Sequence, residues 1–105
     1  MLNRFTILAA VTLLVGCMNP ALHYVRSSAA SVPARTGSCT FSVSAGQPGP
    51  EFQEIGYIEN IAYGETSELR ETFGKTICQA GGDHVVTMVN GFGVIVRAVV
   101  YHKAN

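Results

Sequence analysis

The side chains in this chain best suited to bind a metal are Asp83, its neighbour His84, and His102 at the far end of the same predicted hairpin. Zinc or copper needs three or four donors that converge. In a hairpin turning at Asn90-Gly91, His84 pairs near Arg97, so His102 falls beyond that partner and convergence is not expected. The two histidines are read as surface residues at strand ends, with Asp83 turning the chain after a helix. Glu51, Glu54 and Glu59 lie on one extended segment and face alternating sides, without the shaped pocket that an acid and base pair requires. Their expected role is to solvate a sheet edge. There is no Gly-x-Ser-x-Gly elbow, and Gly46 to Pro50 is too proline-rich to offer the consecutive amide donors of a phosphate loop. Cys39 lacks a basic neighbour to activate it, and no Cys-x-x-Cys spacing occurs. The expectation is a non-enzymatic chain without a cofactor.

Cys17 has a different context. Met1 to Arg4 forms a small positive end, and Phe5 to Val15 is apolar apart from Thr6 and Thr12. That run is too short for a membrane-crossing helix of about 20 residues. It has the layout of a secretory signal, with small residues at the cut. Leu14-Val15-Gly16-Cys17 resembles the bacterial lipobox, in which a peptidase cuts before a cysteine already carrying a diacylglycerol. The resemblance implies a leader over residues 1–16 and a Cys17 acylated on sulfur and amine. At about 0.8 kcal/mol per buried methylene, one chain anchors marginally and several anchor firmly. Met18 stands where an Asp would favour inner-membrane retention, which points to the outer membrane of a bacterial envelope.

Composition narrows the remainder. At 105 residues there is room for one domain, and loss of the leader leaves fewer than ninety. Seven basic and seven acidic residues become six and seven once Arg4 is removed. No basic patch suits nucleic acid. With the lipid on Cys17, Cys39 and Cys78 remain as a pair in an oxidising compartment and are expected to form a disulfide. A staple matters in a domain this short, because small domains bury a low fraction of their surface.

Residues 17–37, with Pro20 and Pro33, read as the lipidated cysteine and a flexible tether, followed by a stapled domain over 38–105. Cys39, Phe41 and Val43 alternate with Thr40, Ser42 and Ser44, as in a strand with one wet face. Phe52 to Ile61 is a second strand whose alternation slips at Gly56, predicting a bulge or a close approach by another backbone. Leu69, Phe73, Ile77 and Ala80 stack on one face of a helix. Thr66 or Ser67 is expected to cap it, and Gly81-Gly82 to end it. Cys78 falls nearly opposite the apolar face. A bond to Cys39 therefore requires either an unwound last turn or a segment passing along the helix's side. His84 to Val89 and Val94 to Tyr101 form a hairpin around Asn90-Gly91. The fold class is α+β, about four strands and one helix in the order strand, strand, helix, strand, strand. Tyr57, Tyr63, Phe92 and Tyr101 are expected to pack rather than to form an exposed recognition surface.

The stretch Cys78-Gln79-Ala80-Gly81-Gly82-Asp83-His84-Val85-Val86 resembles the helix-to-strand step of small bacterial envelope lipoproteins, those with the fold of the Rcs-pathway sensor lipoprotein and the YbjQ-like domains. The resemblance covers Cys39 to Tyr101. It implies that Cys78 is a disulfide partner, that Gly81 and Gly82 stop the helix, and that Asp83 leads into the next strand. It carries no metal site and no regulatory partner. The chain as a whole is expected to be a lipid-tethered interaction or sensing module with a protein partner in the envelope, or alternatively a ligand- or metal-binding periplasmic module with Asp83, His84 and His102 as the candidates.

Overall fold

The computed structural model describes residues 23–27, 32–35 and 39–104. The expected leader and Cys17 lie outside these residues. The order is β1 (Tyr24–Arg26), β2 (Ser42–Ser44), β3 (Phe52–Tyr63), α1 (Thr66–Ala80), β4 (His84–Val89) and β5 (Ile95–Lys103). They form an α+β unit with one five-stranded mixed sheet in the order β1-β3-β5-β4-β2. The β2–β4 pair is parallel and the others are antiparallel. Five strands replace the expected four because β1 arises within residues 17–37, the segment read as tether. Three residues of that segment instead pair with Ile58, Tyr57 and Gly56 on β3, a contact that short-range pattern does not reveal.

Residues paired across a ladder share a face, so Val43, Val85 and Val100 line one side of the sheet, joined by Ala98 and Ile58. Leu69, Phe73 and Ile77 of α1 close onto that side, and all three are buried. The helix face is the one the apolar spacing predicts. Its cap is not: α1 starts after Glu65, no side chain caps it, and Thr66 and Ser67 lie inside the first turn. Glu68 in that turn complements the helix dipole instead.

Gly81 ends the helix with φ 89°, and its N–H and that of Gly82 return to the carbonyls of Cys78 and Ile77 at 3.1 and 2.9 Å. A Cβ at Gly81 would overlap the Val32 side chain and lie 2.7 Å from the Pro33 carbonyl oxygen. Gly81→Ala is expected to destabilise the domain by about 1–2 kcal/mol, read from the midpoint of urea unfolding. Val32 to Arg35 thus runs along the helix's side, with Arg35 N donating to Cys78 O at 2.9 Å. The helix stays wound through Cys78, and the passing segment brings Cys39 to it.

The slip at Gly56 is a bulge between Glu54 and Gly56. A Cβ there would overlap the Tyr24 phenol, so the close neighbour is a side chain of β1 and not a backbone. Burial pushes the Tyr24 phenol above its ordinary value of 10.0, while Arg26 works weakly the other way. A raised folded value means that the folded chain holds this proton more tightly than the unfolded one. The associated stability is complete below pH 10 and falls as pH rises above it. Tyr24→Phe is expected to show a shallower loss of stability above pH 10 than the native chain, checked by unfolding at a series of alkaline pH values.

The hairpin turn is longer than Asn90-Gly91. Asn90 and Val94 close a three-residue loop through Asn90 N to Val94 O at 2.9 Å, and Gly93 takes positive φ at 79°. Asn90 serves through its side chain, Oδ1 accepting from Phe92 N and Val94 N at 2.9 and 3.1 Å. The longer loop and an irregularity between Met88 and Val89 move the register, and His84 pairs with Tyr101 instead of near Arg97.

Candidate functional site

That change of register brings together residues expected to stay apart. Gly82 delivers Asp83 to the end of β5, where Asp83 N donates to Tyr101 O at 2.8 Å and Asp83 O accepts from Ser42 N at 3.2 Å. The carboxylate then gathers three donors. Oδ1 accepts from Arg35 Nη1 at 2.8 Å, and Oδ2 from Lys103 N at 2.8 Å and His102 Nδ1 at 3.1 Å. His102 Nδ1 also lies 3.0 Å from Gly81 O. Both neighbours are acceptors, so Nδ1 carries a hydrogen. Arg35 Nη1 reaches Thr40 O at 2.9 Å as well. Asp83 is therefore a junction that ties residues 32–35, the helix stop and the end of β5 together, beyond turning the chain.

His84, adjacent in sequence, points to the other face, and the expected surface position is corrected: the residue is 9 % exposed. Ser44 Oγ donates to Gly46 O at 3.1 Å and so accepts from His84 Nε2 at 2.9 Å. Nδ1 is then free to accept the Ser42 hydroxyl, which contacts it directly. Phe52 lies against the ring, with centroids 5.4 Å apart. A hydroxyl donating to a neutral imidazole has the polarity of a serine–histidine dyad. Both ring nitrogens are, however, saturated by hydroxyls of one three-residue edge strand, and this fastens β2 to β4. Ser42→Ala strands a buried ring nitrogen and is expected to cost about 1–3 kcal/mol in chemical denaturation. The alternation that sets Ser42 and Ser44 on one face is legible in the sequence. Their partner is not, because a parallel pairing across forty residues leaves no local signal.

The metal candidates are thus divided. Asp83 and His102 meet, whereas His84 turns away, and among the described residues no group of three or more His, Cys, Asp or Glu side chains is placed to hold a metal ion.

Cys39 and Cys78 are joined in a disulfide with Cα atoms 6.0 Å apart. It lines an open groove of about 730 Å³ together with Phe41, Arg35, Arg70, Gly74 and Lys75. Arg70 stacks 4.9 Å over the Phe41 ring and donates to Phe41 O at 2.9 Å. Gly74, unfavourable within a helix, leaves open space here, since a Cβ would meet nothing within 4 Å. With Arg35 bound to Asp83, Arg70 and Lys75 give the groove its positive character. A smaller cavity of about 340 Å³ lies beside the middle of the helix between His23, Ile61, Tyr63 and Phe73. Asn60 beside it holds φ 62° at the second irregularity of β3.

Among the described residues no helix is long and apolar enough to cross a membrane. No family model, no curated protein and no solved structure matches the chain.

Proposed function

We propose that this chain is a bacterial envelope lipoprotein, non-enzymatic, whose small domain works as a membrane-tethered interaction or sensing module. The disulfide carries the reading. It uses two of the three cysteines, fits an oxidising compartment, and leaves Cys17 as the single thiol, directly behind a short apolar run. The helix stop at Gly81 and the disulfide at Cys78 support the resemblance to the Rcs-type sensor lipoproteins. The lipid holds the domain at the outer membrane and raises its local concentration against an envelope protein partner, with β1 and β2, the outermost of the described strands, as surfaces for strand addition.

The alternative is a ligand-binding periplasmic module, and the groove beside the disulfide is the observation in its favour. Calorimetric titration of the full-length protein with zinc or copper tests its metal form, and tight stoichiometric binding would replace the first reading. The lipoprotein reading is tested by intact mass of the protein extracted from membranes. The expected mass is that of the chain from Cys17 onward plus a diacylglyceryl group and an amide-linked acyl chain, less two hydrogens for the disulfide. A mass without acyl groups overturns it.

A further inference from the structure

One end of the sheet is conspicuously apolar. Of the four large apolar side chains exposed among the described residues, three, Met88, Val89 and Phe92, lie on the β4–β5 hairpin. Phe92, at the tip, is 92 % exposed, against the expectation that this aromatic packs. Its position is braced, because Asn90 Oδ1 holds the backbone N–H groups of Phe92 and Val94. Leaving such a ring in water forgoes about 1.5–3 kcal/mol of burial, which makes the tip a surface prepared for contact.

The first described residues, His23 and Tyr24, point toward that same end. Tyr24 stands opposite Ile58, and from there β3 runs on to Tyr63, which faces Ile95, which faces Val89. His23 precedes Tyr24 and so lies on the hairpin side of that pairing. Cys17 is six residues before His23. Whatever path those residues take, they span at most about 20 Å.

We infer that the hairpin tip, Phe92 with Met88 and Val89, is a second membrane contact that dips into the lipid surface holding Cys17. The inference rests on the lipoprotein reading. Acyl chains keep this end of the domain within reach of the headgroups, where an aromatic ring partitions favourably. Glu59, Glu65 and Glu68 are exposed near the same end and outnumber Arg97, which pairs with Glu59 and Met88, so the matching surface is zwitterionic and not anionic. Two attachments orient the domain where one lipid leash would let it tumble. The Asp83 junction, just past the C-terminal end of α1 and against Tyr101 and Lys103, then faces away from the membrane.

The chain has no tryptophan, so Phe92→Trp creates a single reporter in the full-length acylated protein. Lys103→Trp, exposed at the opposite end of β5 and about 27 Å from Ile95 along the strand, is the control. In phosphatidylcholine vesicles the Phe92→Trp emission is expected to shift to the blue and to be quenched by brominated acyl chains, while Lys103→Trp stays water-like. Emission from Phe92→Trp that remains water-like in protein whose mass shows acylation and which sediments with the vesicles overturns this inference alone. Absence of acyl groups from the mass overturns both readings. A blue shift that needs no vesicles and grows with protein concentration assigns the tip to a second copy of the chain, and overturns it as well.

Discussion

Replacing both Cys39 and Cys78 with Ser is expected to lower the unfolding free energy by about 4 kcal/mol, the loop entropy of a bridge that closes some 40 residues. For a core this small, that is comparable with the entire net stability. The bridge joins the residue leading into β2 to the last turn of α1. Its loss frees the path through which Arg35 reaches Cys78 O and Asp83. Urea unfolding with and without reductant checks the expectation. The midpoint of the native chain should fall on reduction, and the double variant should unfold near the reduced midpoint and not respond to reductant. A double variant as stable as the oxidised chain would mean that the core and the Asp83 junction suffice, and that the bond is incidental.

Cys17→Ser is expected to move the protein out of the membrane fraction almost completely, since each buried methylene of the anchor contributes about 0.8 kcal/mol and three chains carry dozens of them. The hairpin tip alone, one aromatic ring and two aliphatic side chains, does not compensate for that loss. The Cys39–Cys78 bond does not involve Cys17, so the variant should retain the native urea midpoint, which separates loss of the anchor from loss of the fold. Fractionation followed by immunodetection reads the result. Retention of Cys17→Ser at the native level places the anchor elsewhere and removes the basis for the lipid reading.

Much of the architecture is legible in local pattern because one-face burial imposes a period. Leu69, Phe73 and Ile77 declare the buried stripe of α1, Gly81 its stop, and Gly56 the bulge in β3. Cysteine parity points to the disulfide. What escapes are contacts whose energy lies between distant segments. Tyr24–Arg26 carries no alternation that separates it from a tether, and it becomes a strand only because β3 offers an open edge. The hairpin shows how one side chain redirects a longer piece of structure. Asn90 spends its amide oxygen on two backbone donors, the loop lengthens, and His84 comes to lie beside Tyr101. The same shift sets His102 next to Asp83, a meeting that a two-residue turn excludes.

By itself the sequence determined the α+β class and the apolar face of the helix, since each depends on residue type and spacing within a short window, and it pointed to the pairing of Cys39 with Cys78 through cysteine parity. Only the tertiary structure decided that Asp83 is a junction, that His84 is clamped by Ser42 and Ser44, and that Phe92 stands in the open at the hairpin tip. Those outcomes depend on strand order and register, which are set by the summed packing of the whole sheet and are written in no single segment.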